Sequence, residues 1–183
     1  MVQVLAVSGS LRADSSNTAL LHVASNLAPP GLEVVLSDLV AQLPHFNPDL
    51  ELHAPAVVRA WQAQAERADA LVISSPEYAH GIPGALKNTL DWLVGTTALY
   101  QKPVALWTFL SPSSHAHRAL EEVLRTMGAT LMPSACLHLE RRSLLDHPEA
   151  TDGLTRAMRA LETAIAQRLE DEVVRAPSSP SQR

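Results

Sequence analysis

Short apolar runs alternate with amphipathic helical patterns along most of this 183-residue chain. Strands separated by helices are typical of parallel sheets, because a crossover must carry the chain back before the next parallel strand begins. The pattern therefore predicts a doubly wound α/β sandwich with a five-stranded parallel sheet and helices on both faces. The strands are expected at Val2–Ser8, Leu32–Ser37, Ala70–Ser75, Pro103–Leu110 and around Thr130–Leu139.

Five helices are predicted from apolar residues that recur every three or four positions. The first is expected from Asn17 to just before Pro29, the second over Pro55–Ala68 and the third from near Pro83 to Val94. The fourth is expected to end at Gly128. The fifth is expected to carry the apolar stripe Leu154, Met158, Leu161, Ile165 and Leu169. We expect one domain over residues 1–172. Residues 173–183 end in the Pro/Ser-rich sequence APSSPSQR and are expected to be a disordered tail.

Composition narrows the class of protein. Hydrophobic residues make up 46% and charged residues 18% of the chain, as in globular proteins, and the net charge of −5 argues against a nucleic-acid partner. No apolar run approaches the roughly 20 residues of a membrane span, so we expect no membrane partner. The chain starts directly with a strand pattern, so no signal peptide is expected. Its single cysteine, Cys136, cannot form an internal disulfide, which favours the reducing cytoplasm.

The first predicted strand ends abruptly in a polar loop that leads into a helix. The free N–H groups of a helix start attract anions. This loop adds a guanidinium at Arg12, hydroxyls at Ser10 and Ser15, and the amide of Asn17. These groups are suited to phosphate, so the segment predicts a phosphate site. In the alternative interpretation, Ser15 or Ser16 merely caps the helix.

The loop composition restricts which phosphate ligand it can hold. A dinucleotide fingerprint needs several glycines, and a triphosphate loop needs Gly-Lys-Ser/Thr. Here only Gly9 is present and no lysine is near. A single terminal monophosphate suits the loop better, and flavin mononucleotide (FMN) carries one.

A second motif, PEYAHGIPGALKNTLDW, follows the third predicted strand at residues 76–92. In doubly wound sheets the loops after strands one and three flank the point where ligands bind. We therefore expect this loop to face the phosphate loop. Tyr78 is the side chain suited to pack on a flat heterocycle.

Together, GSLRxxSxN at residues 9–17 and PEYxxGIPGALKNxLDW at residues 76–92 resemble the NAD(P)H-dependent FMN reductase family, which includes azo-dye, quinone and chromate reductases. The resemblance implies a flavodoxin-like fold with strand order 2-1-3-4-5, FMN as cofactor, NADPH or NADH as hydride donor, and a small-molecule electron acceptor. It implies these cofactor-binding residues: Ser10, Arg12, Ser15, Ser16 and Asn17 at the phosphate, and Pro76, Glu77, Tyr78, Ala79, His80 and Gly81 at the ring and ribityl chain.

Two positions depart from the family pattern. Many relatives carry Asn where this chain has Ala79, so a flavin hydrogen bond is missing or supplied by backbone. Many relatives also have a glycine-rich loop after the fourth strand. Here that loop contains Ser111, Pro112, Ser113 and Ser114 without glycine. A flavin contact is expected from Ser111 or Ser113, and Ser111 is the residue assigned to it.

No catalytic side chain and no metal site are expected, because the chemistry would occur at flavin N5. Donor and acceptor would use the same flavin face in turn, giving a ping-pong mechanism. His80 is expected near the nicotinamide or the substrate. There it either donates a proton to the reduced acceptor or has no catalytic role. His115 and His117 lack neighbours at metal-ligand spacing, and Cys136 is expected to be buried in packing.

The family resemblance also implies a homodimer or homotetramer. The apolar residues Leu86, Leu90, Trp92 and Leu93 cover more than one helix face, which fits either an interface or a fully buried helix. Two other functions stay open from the sequence. One is a flavodoxin-like electron carrier, and the other is a flavin-free binding or regulatory domain of the same fold.

Overall fold

Strands and helices alternate along the chain as expected for a doubly wound protein. The computed structural model describes residues 1–109, 111–139 and 148–175. The elements are β1 Val2–Ser8, α1 Ser16–Leu27, β2 Leu32–Leu36, α2 Ala56–Arg67, β3 Ala70–Ser74, α3 Gly84–Asp91, β4 Pro103–Thr108, α4 His115–Thr126, β5 Thr130–Leu131, β6 Leu137–His138 and α5 Pro148–Arg175. Short 3₁₀ helices occur at Pro48–His53 and Pro133–Ala135.

The sheet is parallel and has the order β2-β1-β3-β4-β5, which confirms the predicted fold and strand order. Strand β1 lies inside the sheet, and its Val4 pairs with Val34 on one side and Ala70 on the other. Such interior strands are buried on both faces, which is why β1 and β3 read as near-continuous apolar runs.

Alternate residues of β1 enter two separate hydrophobic cores. Leu5 and Val7 face a cluster formed with α2, α3 and α4, where Trp61 and Trp92 are fully buried. Val4 and Ala6 face a second cluster built with α1 and α5. The period of two in strand side chains thus explains how one strand supports helices on both faces.

The prediction of one strand around Thr130–Leu139 is wrong. Two short strands, β5 and β6, both pair with β4, and a 3₁₀ turn at Pro133–Ala135 separates them. Pro133 has no N–H to donate to a sheet and its φ suits the first turn of a helix, so the strand is interrupted there. In the predicted strand Pro103–Leu110, Leu110 lies outside the described residues.

The apolar residues near α3 are buried inside the chain. Leu86 is fully buried, and Leu90, Trp92 and Leu93 are each 1% exposed. The buried-helix interpretation is therefore correct for these four residues, and they do not form a free interface. The helix itself ends at Asp91, short of the predicted Val94.

The last helix, α5, is described as far as Arg175. Of the predicted tail at 173–183, residues 173–175 belong to α5 and 176–183 lie outside the described residues. The side chain of Leu169 also lies outside them, and the predicted domain limit at residue 172 stays a prediction. Among the helices of the described chain, none combines the length and apolar character that crossing a membrane requires.

Candidate functional site

The loops after β1 and β3 approach each other closely at the carboxyl edge of the sheet. A Cβ atom built on Gly9 would lie 2.6 Å from Ser75 Oγ and 2.9 Å from Ser75 Cβ. The Gly9 N–H also donates to the Ser74 carbonyl at 2.8 Å. Glycine at position 9 thus allows two backbones to meet where a side chain would separate them.

Two hydroxyl contacts fix the start of α1 against the sheet. The buried Ser74 Oγ donates to Asn17 Oδ1 at 3.0 Å, and Ser8 Oγ lies 2.8 Å from Thr18 Oγ1. The amide oxygen of Asn17 is therefore held by β3. Ser8, Thr18 and Ser74 were not among the predicted site residues, although Ser8 and Ser74 end two apolar strands, which was a signal for them.

Ser15 is the N-cap of α1, because its Oγ accepts the N–H of Thr18 at 3.3 Å. The capping interpretation is therefore correct for Ser15. Ser16 is the first helical residue. The N–H groups in this first turn have no carbonyl partner within the helix and carry the positive end of its dipole.

Ser10 and Arg12 lie in front of this helix start. Arg12 is exposed, and its N–H donates to Ser10 Oγ at 3.4 Å. Both residues line a cavity of about 300 Å³, whose lining also includes Ser37 and Asp38 at the end of β2. A guanidinium, a hydroxyl and helical N–H groups form a donor set that fits a phosphate. The extension of the cavity toward β2 was not predicted from the sequence.

The loop after β3 makes a tight turn, Tyr78-Ala79-His80-Gly81, which we call the 78–81 turn. The N–H of Tyr78 donates to the Gly81 carbonyl at 3.1 Å, and that of Gly81 donates back at 2.9 Å. Ala79 and His80 have φ of 48° and 58°. Positive φ at both central residues defines a turn that ordinarily uses Asn-Gly. The turn holds Tyr78 with 56% of its surface exposed.

Glu77 connects this loop to the start of α4. Its Oε2 accepts the N–H of Ala116 at 2.8 Å, and its Oε1 lies 3.2 Å from His80 Nδ1. The Ala116 N–H lowers the pKa of Glu77, and His80 and Ser114 act in the same direction against the opposing effect of burial. Because α4 binds one carboxylate oxygen and His80 contacts the other, both oxygens of Glu77 face groups of the protein.

Pro76 is half-buried before this turn, and its carbonyl accepts from Ser75 Oγ at 3.0 Å. Across the edge, Ser111 is exposed and its Oγ lies 2.8 Å from Ser113 Oγ. The imidazoles of His80 and His115 stack edge to face with centroids 4.8 Å apart. The structure thus brings the loops after β3 and β4 together.

Other titratable side chains near α4 are engaged in packing. Burial lowers the pKa of His117, as does nearby His138, while Glu121 opposes the change. Burial raises the pKa of the half-buried Cys136 thiol, whose Sγ accepts the Leu106 N–H at 3.4 Å. Within the parts of the chain that the structure describes, no three His, Cys, Asp or Glu residues are grouped to hold a metal ion.

A parallel sheet in this order, with helices on both faces and with the loop after β1 packed against the end of β3, defines a flavodoxin-like fold. Comparison with known families makes the assignment specific. The chain belongs to the NADPH-dependent FMN reductase family, whose model matches residues 2–142. The resemblance inferred from the two sequence motifs is thereby confirmed.

Individual relatives agree with this family. The chain is 41% identical over 92 residues to the NAD(P)H-dependent FMN reductase of Pseudomonas aeruginosa, covering 50% of this chain and 49% of that protein. It is 36% identical over 111 residues to the quinone reductase of Escherichia coli, covering 58% and 59%. The alignments thus span between about half and three fifths of these curated relatives.

The fold likeness extends further along the chain. The solved structure of the flavoenzyme NAD(P)H:(acceptor) oxidoreductase FerB from Paracoccus denitrificans matches 93% of this chain and 98% of that one. The TM-score is 0.72 and the sequence identity is 27%.

Proposed function

We propose that this protein is an FMN-dependent oxidoreductase that oxidises NADPH or NADH and reduces small acceptors such as quinones, azo compounds or free flavin. The observation that carries the proposal is the close approach of the loop after β1 to Ser74 and Ser75, the residues from which the chain continues into the 78–81 turn. Membership of the FMN reductase family and the names of the relatives support the same reaction class.

The residues present fit FMN. Ser10, Arg12 and the first-turn N–H groups of Ser16 and Asn17 would hold the phosphate. The loop Pro76–Gly81 and Ser111 would border the ring system. Bound FMN supplies the redox chemistry, since its N5 accepts hydride and its reduced form donates electrons to the acceptor.

The side chains of this site would bind and orient the flavin and the substrates. Tyr78, exposed at the turn, offers an aromatic surface for a planar group. His80 is exposed on the same turn and would lie close to whichever substrate is bound. No side chain needs to form a covalent bond with substrate, so we assign no catalytic residue.

A single open ring face would serve both substrates in turn, which predicts ping-pong kinetics. Initial rates measured against NADPH or NADH at several quinone concentrations should give parallel lines in double-reciprocal plots. Intersecting lines, which indicate a ternary complex, would contradict the shared face while leaving FMN binding intact. Tyr78→Ala should impair flavin or donor positioning without abolishing folding.

We further propose a homodimer or homotetramer. The support is the family resemblance together with apolar side chains that stay exposed, among them Leu52 (92%), Val94 (61%) and Tyr100 (63%). Sedimentation should give at least twice the monomer mass. A monomer at micromolar concentration that still binds FMN would contradict this assembly.

A cytoplasmic location also belongs to this proposal. Its support is the chain's single cysteine, which is compatible with a reducing compartment. Fractionation of cells that express the tagged protein would test it, and recovery in an oxidising compartment would contradict it.

A further inference from the structure

The Glu77 carboxylate contacts both the start of α4 and the 78–81 turn. Its Oε2 accepts the N–H of Ala116, one of the first-turn donors of α4 that has no partner within the helix. Its Oε1 faces His80, the second central residue of the 78–81 turn. Ser114 Oγ accepts the N–H of His117 in the same helix turn, so the two side chains together cap α4.

The 78–81 turn is conformationally unfavourable for the residues it contains. Ala79 is held at φ 48°, a region that alanine rarely occupies. A strained turn persists only where its surroundings hold it in place. Glu77, which contacts His80 and accepts the Ala116 N–H, connects this turn to α4, and so does the ring contact between His80 and His115.

We infer that Glu77 is a positioning residue: it locks the strained 78–81 turn against α4, and so orders the loop that borders the flavin ring. This inference rests on the proposed function and assigns Glu77 a role that differs from that of a flavin ligand. Its carboxylate is already committed to a backbone N–H and a histidine of the protein.

The experiment compares FMN and riboflavin binding by Glu77→Ala with that of the control Glu122→Gln, which lies exposed on the same α4 helix. Loss of the lock should weaken FMN binding about tenfold, the scale of a lost charge-assisted hydrogen bond. Riboflavin binding should weaken by the same factor, because in the proposed site the turn would border the ring part of the flavin and the phosphate would lie at the other loop. The control should bind like the parent.

A second substitution separates positioning from direct contact. Glycine adopts positive φ without strain, so Ala79→Gly removes the penalty that Glu77 is inferred to oppose. Glu77→Ala/Ala79→Gly should therefore recover most of the lost FMN affinity. If Glu77 touched the flavin directly, the double variant would bind as weakly as Glu77→Ala, and the inference would be overturned.

FMN binding by the parent protein separates a failure of the proposed function from a failure of the inference about Glu77. A parent protein that binds no FMN defeats the proposed function itself, whereas a parent that binds FMN no better than Glu77→Ala defeats only this inference. If Glu77→Ala does not fold, Glu77→Gln replaces it, because glutamine keeps an oxygen for the Ala116 N–H but lacks the negative charge that strengthens the contacts with Ala116 and His80. Its FMN dissociation constant should then exceed that of Glu122→Gln, and equal constants would overturn the inference.

Discussion

At the scale of single residues, Arg12 carries the charge that the proposed phosphate site depends on. It is exposed in the loop that precedes α1. Arg12→Ala should weaken FMN binding by about 1–3 kcal/mol, the cost of an unmade charge-assisted hydrogen bond. Riboflavin lacks the phosphate and should bind parent and variant almost equally.

Fluorescence titration with both flavins measures this difference, with Arg159→Ala, an exposed arginine on α5, as the matched control. Equal losses for FMN and riboflavin would show that Arg12 acts through the fold. The phosphate loop could be predicted because its residue types are chemical signals. The positive φ of Ala79 could not be predicted, since the residue types that mark such turns are Asn and Gly.

At the scale of elements, the contact between the loops after β1 and β3 depends on Gly9. Gly9→Ala would place a methyl group 2.6 Å from Ser75 Oγ, so the two loops must separate. We expect a loss of about 1–3 kcal/mol in the free energy of unfolding, typical of overpacking, together with weaker FMN binding. Urea unfolding measures the first effect.

The matched control is Gly84→Ala at the first residue of α3, where an added Cβ meets nothing within 4 Å. It should be neutral or slightly stabilising, because alanine has the higher helix propensity. A Gly9→Ala protein as stable as this control would contradict the close approach of the loops.

Predictions of helices and strands succeeded where a local sequence pattern determines the element. They failed where contacts between distant segments determine it. The limits of β1 and α1 followed from apolar periodicity and capping residues. The division of the last strand depended on Pro133 within an edge that pairs with β4. The burial of Leu90 and Trp92 depended on the neighbouring segment, whose Pro44 carbonyl accepts from Trp92 Nε1 at 2.8 Å. A single sequence does not contain such pairings.

At the scale of the whole molecule, a buried lysine lies at the amino ends of the strands, opposite the proposed site. Lys102, 4% exposed, precedes β4, and its Nζ donates to the carbonyls of Ala65, Glu66 and Ala68 at the end of α2. Burial and nearby Arg168 lower the pKa of Lys102 to about 8, while Asp69 and Glu66 oppose the change. The charged form is therefore less favoured in the folded protein than in the unfolded chain.

The sign of the pH dependence follows. Between about pH 8 and the unfolded lysine pKa of about 10.4, the unfolded chain binds the proton that the folded chain releases, so this group increases stability as pH rises. Relative to Lys102→Met, the parent's free energy of unfolding should rise by about 2 kcal/mol between pH 8 and pH 10. Urea unfolding at both pH values measures it. Equal changes in the two proteins would contradict a depressed pKa at Lys102.

The whole-molecule function depends on whether the protein binds FMN and exposes it to a nicotinamide donor. The most direct measurement loads the protein with FMN, removes free flavin by gel filtration, and records the visible flavin spectrum under anaerobic conditions as NADPH or NADH is added. The proposed reductase predicts retained FMN whose absorbance bleaches in proportion to added donor and returns when a quinone is supplied. Retained FMN that neither donor bleaches would instead indicate an electron carrier, and failure to retain FMN would indicate a flavin-free domain; either result contradicts the proposal.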